Sequence, residues 1–179
     1  LKKMYLVRHA KAVGQDFTAR LTDEGYKQAQ SLVSFFEDIP LERIYSSPYR
    51  RTIETIEPLA KHRGLSVLED ERLGERVLAD KEFVEWKEML KKSFDDFDLK
   101  YPGGESNREG LIRVESLMKD LLQSPENHIL LVSHGNLTTL LLHYFDKSYA
   151  FEELFLLSNP DVYLIECDEH NSSIQRLWK

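Results

Sequence analysis

The sequence predicts an α/β fold: a three-layer sandwich with a mostly parallel central sheet and helices on both faces. Apolar, β-rich runs at 4–7, 43–46, 65–69, 129–133 and 162–167, with a weaker one near 174–178, alternate with helical patterns. Alternation of this kind is what parallel strands joined by crossover helices require. No internal repeat, low-complexity tract or linker interrupts the 179 residues, so one domain spanning 1–179 is expected.

The elements follow in order. The first strand, 4–7, runs into Arg8-His9. A helix over 23–37 starts after Thr22, a good N-cap, with Asp23 and Glu24 in the first turn, where negative charge suits the helix dipole. After the strand at 43–46, Ser47 reads as an N-cap and Pro48 as the first position of a helix over 48–62. Tyr49, Ile53, Ile56 and Ala60 would be its inward stripe. The strand at 65–69 precedes the least regular region, 76–103. Its charged start and its Tyr101-Pro102-Gly103-Gly104 turn suggest an insertion or lid over one sheet edge. Ser106 and Glu109 form a capping box for a helix over 107–123. The strand at 129–133 leads into a buried, Leu-rich helix over 137–146, and the last strands close the chain.

Composition narrows the function. A net charge of −7 argues against nucleic acid or an anionic membrane as the main partner, while leaving an anionic small substrate open. Cys167 is the only cysteine, so neither an internal disulfide nor a cysteine-based zinc site is expected, which fits a reducing cytoplasm. No run is long and apolar enough for a membrane span, and the start shows no signal-peptide pattern. The chain opens on Leu1 rather than Met, so a missing or altered natural start is expected.

Two strands of similar shape end in histidine: Met4-Tyr-Leu-Val-Arg-His9 and Ile129-Leu-Leu-Val-Ser-His134. In such sheets ligands bind beyond the carboxyl ends of the strands. If these two strands are parallel neighbours, both imidazoles meet at one edge. Ser46-Ser47-Pro48-Tyr49-Arg50-Arg51 follows another strand to that edge.

This ordered set resembles the histidine phosphatase superfamily, also called phosphoglycerate mutase-like. The resemblance rests on Arg8-His9, on Leu21-Thr22-Asp23-Glu24-Gly25 with Gln28-Ala29, and on Ser46 to Thr55. It continues through Leu73-Gly74-Glu75, Pro102-Gly103-Gly104-Glu105-Ser106 and Ser133-His134-Gly135. It implies a nucleophilic His9 that forms a phosphohistidine, Arg8, Arg51 and His134 on the phosphoryl oxygens, and Glu75 as proton donor and then base. Amides where the helix at 137–146 starts, Gly135 included, would add donors, and Lys11, Thr22, Glu105 and Ser106 are further candidates near the phosphate. No metal and no cofactor are implied. The family usually has Gly after the nucleophile, where this chain has Ala10, and often an acidic residue where it has Lys11. The Asn typical of mutases has no counterpart, and the chain is short, which favours a small phosphatase.

Plainer readings stand beside these. Either histidine could simply end a strand, neither Arg50 nor Arg51 falls on the inward stripe and Arg50 could simply pair with Glu54 at i+4, and Glu75 has acidic neighbours in Glu69, Asp70, Glu71 and Glu82. Thr22 and Ser106 could be caps only, and most aromatics between 94 and 155 could be core. The expectation is a cytoplasmic phosphatase acting on a small phosphomonoester or a phosphoprotein. Its alternatives are a phosphoglycerate mutase, a phosphoprotein (including phosphohistidine) phosphatase, and a non-catalytic phosphate-binding module. Nothing in the sequence sets the oligomeric state.

Overall fold

A computed structural model describes residues 1–179. Its strands are β1 (Lys2–Arg8), β2 (Arg43–Ser46), β3 (Val67–Glu69), β4 (His128–Ser133), β5 (Asp161–Cys167) and β6 (Ser172–Arg176). Its helices are α1 (Asp23–Phe35), α2 (Arg50–Arg63), α3 (Trp86–Asp95), α4 (Asn107–Gln123), α5 (Gly135–Phe145) and the short α6 (Phe151–Leu154). The six strands form one mixed sheet in the order β3-β2-β4-β1-β5-β6. The first four run parallel, and β5 is antiparallel to both β1 and β6.

The continuous apolar runs are explained by burial on both sheet faces. Met4, Leu6, Ile129 and Leu131 pack with Val114, Leu117 and Met118 of α4 and with the leucines of α5. Their alternates Tyr5, Val7, Leu130 and Val132 pack on the other face with Leu32 of α1 and Ile56 and Leu59 of α2. The register pairs Arg8 with Ser133, and the His9 amide donates to the Ser133 carbonyl at 3.1 Å. Two neighbouring strands therefore stop level with each other. His9 and His134 leave the sheet side by side.

The capping expectations for α1 and α4 hold: Thr22 accepts from the Gly25 amide, and Ser106 and Glu109 form the reciprocal box. The start of α2 differs. The helix begins at Arg50 with Tyr49 as its cap residue, and Pro48 lies outside it. Ser47 lies two residues ahead of that cap, and its hydroxyl meets both the Tyr49 amide and His134 across the sheet. The buried face of α2 is also rotated from the expected stripe. It carries Arg51, Thr52, Thr55, Ile56, Leu59 and Ala60, while Ile53 is only half-buried. Region 76–103 is irregular up to residue 85 and then forms α3, and its first part stands over the carboxyl ends of the strands as one wall of a cleft.

Candidate active site

The cleft encloses about 830 Å³ at the carboxyl ends of β1, β2 and β4. Beside it His9 is held in one tautomer. Its Nδ1 lies 2.7 Å from the Ala10 carbonyl oxygen, which can only accept, so the proton sits on Nδ1 and Nε2 keeps its lone pair. Arg51 Nε donates to that lone pair at 3.2 Å. Burial pushes the His9 pKa down to about 3, and the Arg51 and Arg8 charges push the same way against the Ala10 carbonyl. The ring is thus neutral at physiological pH, as a nitrogen nucleophile must be. Asn159 Nδ2 donates to the His9 carbonyl at 3.0 Å and fixes the backbone beneath it.

His134 is fully buried, its ring centroid 5.4 Å from that of His9. Its Nε2 lies 2.8 Å from Ser47 Oγ, which also accepts from the Tyr49 amide at 3.3 Å. With the serine hydroxyl donating to His134 Nε2, the imidazole proton falls on Nδ1. That Nδ1 is buried without a partner. Burial holds the His134 pKa well below its ordinary value, and the neighbouring His9, Arg51 and Arg8 add to the effect. A buried N–H donor beside His9 is a ready partner for an anionic oxygen.

Two arginines frame the same point. Arg51, at the start of α2, is almost wholly buried, and its Nη1 donates to the carbonyls of Gln15 (3.0 Å) and Asp16 (3.2 Å). Arg8 donates from Nη1 to the Leu157 carbonyl at 3.2 Å, while its Nε is buried and unpaired. Burial lowers the pKa of both guanidiniums, although Glu75 opposes this in each. Gly135 makes room for Arg8: a Cβ there would lie 2.9 Å from Nη2 and 3.1 Å from Cζ.

Glu75 follows the short 3-10 turn Glu71–Leu73. Its carboxylate accepts from the amides of Leu137 (2.9 Å), Asn136 (3.1 Å) and Arg76 (2.9 Å). The expectation that the amides opening α5 serve a phosphate is corrected here for Asn136 and Leu137. An acidic side chain already occupies the positive end of that helix. Glu75 lines the cleft along with Arg8 and Arg51.

Residues 4–179 match the family model described as histidine phosphatase superfamily (branch 1). The chain belongs to this superfamily. Phosphoserine phosphatase 1 of Hydrogenobacter thermophilus is 28% identical to it over 148 residues, covering 74% of this chain and 70% of that protein. A protein named probable phosphoglycerate mutase GpmB from Proteus mirabilis is 32% identical over 149 residues, covering 74% and 69%. Among solved structures, Bacillus stearothermophilus YhfR superposes with a TM-score of 0.80 at 26% identity, covering 98% of this chain and 96% of that one.

Within this histidine phosphatase the structure brings His9, His134, Arg8, Arg51, Glu75 and Gly135 together. It places the other four candidates elsewhere. Lys11 is exposed and pairs with Glu24 at 3.1 Å, and Thr22 caps α1. Glu105 is clamped by Arg113 through two bonds of 2.7 and 2.8 Å, and Ser106 caps α4. None of the four lines the cleft. Arg50 pairs with Glu54 at 3.2 Å as its i+4 spacing suggested. Ala10 does not narrow the cleft, because its methyl is absorbed in a small core with Leu21 and Ala29.

The sequence reading missed Arg76, a second buried cation in the cleft beside Arg51. Arg76 donates to the Glu105 carbonyl at 3.1 Å and Ser93 Oγ at 2.8 Å. With the Asn136 carboxamide oxygen turned to meet donors, Arg76 Nε and Nη2 reach it at 2.9 and 3.0 Å. It thereby ties α3 and the turn before α4 to the residue whose amide holds Glu75. Its position directly after Glu75 was the one signal available.

Proposed function

We propose that this histidine phosphatase hydrolyses a phosphomonoester through a phosphohistidine on His9, with no metal ion or cofactor. The observation that carries the proposal is the state of His9: neutral, with its proton on Nδ1 and its Nε2 lone pair met only by Arg51. A phosphoryl group entering between them takes over the Arg51 donor and presents phosphorus to Nε2. Arg8, Arg51 and the Nδ1–H of His134 hold the three non-bridging oxygens, and fixed positive charge there suits a transition state rich in oxygen charge.

In the first step Nε2 bonds to phosphorus, the bond to the ester oxygen breaks, and the departing oxygen takes a proton from Glu75. In the second, Glu75 accepts a proton from water as the water oxygen bonds to phosphorus and the P–N bond breaks. His9 and phosphate are regenerated. Such acid–base assistance contributes about 10²–10⁴-fold. Segment 76–103 serves as the wall that shelters the intermediate, and a cytoplasmic location fits the single buried thiol at Cys167.

The similarity to a protein named as a mutase keeps one rival in view. A mutase returns the phosphoryl group to an organic acceptor, whereas a phosphatase gives it to water. Incubation with a panel of phosphomonoesters, with ¹⁸O-water and product analysis, separates the two. The proposal expects one ¹⁸O in each phosphate released. Phosphoryl transfer between organic molecules without ¹⁸O incorporation would overturn it.

A further inference from the structure

A cleft of about 830 Å³ falls in the range of roughly 300–1,000 Å³ that encloses drug-sized ligands. A phosphoryl group held by Arg8 and Arg51 takes up only part of it. The lining includes the apolar residues Val77, Phe83, Trp86, Phe155 and Leu157. Trp86 is 48% exposed and Phe155 43%, their ring centroids 6.3 Å apart and their planes 33° from parallel. Single exposed apolar side chains need no explanation, but Val77, Trp86 and Phe155, all three exposed, share one cleft with Arg8, Arg51 and Glu75.

Phe155 is also already oriented. Phe151 packs against it with centroids 5.0 Å apart, and Lys87 Nζ lies 4.7 Å from its centroid. A ligand meets a preset surface and spends little free energy ordering it. The charged residues of the same wall, Asp80, Lys81 and Glu82, carry both signs and so do not select a second anionic group. A compact polar alcohol would leave these rings wet. A broad apolar one would cover them.

The geometry points to a small phosphomonoester whose alcohol carries an aromatic or comparably broad apolar body, seated against Trp86 and Phe155 while its phosphoryl group meets His9. This rests on the phosphatase reading above and narrows its substrate. The test uses propyl phosphate and 3-phenylpropyl phosphate, whose leaving alkoxides are alike, so that only the body differs. The phenyl group should raise kcat/KM about 10- to 100-fold by burial of its surface. Trp86→Ala and Phe155→Ala should each reduce that ratio about 3- to 10-fold through KM, and Trp86→Phe should retain most of it. Turnover of propyl phosphate with a ratio near one would overturn this inference alone, as would a ratio unchanged in both alanine variants. Failure to hydrolyse either ester or p-nitrophenyl phosphate would overturn the phosphatase reading, and this inference with it.

Discussion

Replacing Glu75 with glutamine removes the proposed proton donor while keeping the shape of the side chain. In the native protein one carboxylate oxygen accepts from the Arg76 and Leu137 amides and the other from Asn136. The carboxamide has one acceptor oxygen. Set toward Arg76 and Leu137, it turns its NH₂ onto the Asn136 amide, donor against donor. Losing one bond to a charged group costs about 1.5–3 kcal/mol, which lowers Tm by about 3–12 °C for a chain of this size. The fold should therefore persist, and the chemical effect can be read at 20 °C. An alkyl phosphate needs its leaving oxygen protonated, so its single-turnover rate should fall about 10²–10⁴-fold. p-Nitrophenolate leaves without a proton, so phosphorylation of His9 by its ester should stay within about tenfold of wild type. Hydrolysis of the phosphoenzyme also loses its base, so phosphohistidine should accumulate behind a burst of p-nitrophenol. Rapid-quench kinetics on both esters, with the phosphoprotein quantified and melting followed by circular dichroism, supply every quantity. Equal losses on the two esters would remove Glu75 from the acid role.

Three further outcomes are expected. Gly135→Ala places a methyl where the Arg8 guanidinium lies, so KM for phosphomonoesters should rise about tenfold or more with little change in Tm, since Arg8 can shift but no longer reaches its oxygen; an unchanged KM would mean that Arg8 does not hold substrate. His9 is neutral when folded down to a pKa of about 3, whereas its ordinary value is 6.5. Between these values the unfolded chain binds the extra proton, so stability is full above pH 6.5 and declines as pH falls, by up to about 1.4 kcal/mol per unit. His134 adds to the slope in the same direction, and urea unfolding between pH 7 and 4.5 should show a shallower slope for His9→Gln than for wild type. Activity should survive EDTA, because guanidiniums supply the charge that a metal supplies elsewhere; loss on chelation with recovery on adding a divalent ion would contradict this.

The frame was legible because burial on both sheet faces leaves uninterrupted apolar runs, and because Thr22 and Ser106 cap locally. The meeting of His9 and His134 followed from two strands of like shape. What the sequence hid depends on contacts across the chain. Ser47 has the form of an N-cap, yet its hydroxyl serves His134, 87 residues away. Arg51 fell outside an apolar stripe, but α2 buries a mixed face from which Arg51 donates to His9 and Thr55 accepts from the Ala10 amide. Glu105 looked like a pocket carboxylate until Arg113 took both of its oxygens. Glu75 read as a proton donor, but nothing in its local pattern showed that it would sit on the first amides of α5.

The most direct measurement traps the intermediate. Protein mixed with p-nitrophenyl [³²P]phosphate and quenched in alkali, which preserves phosphohistidine, is digested and sequenced by mass spectrometry, with ³¹P NMR distinguishing the two ring nitrogens. One acid-labile phosphoryl group on Nε2 of His9, absent in His9→Ala, is the expected result. Label on a hydroxyl, on His134 or on Nδ1 of His9 would contradict the account, as would hydrolysis that continues at the wild-type rate in His9→Ala.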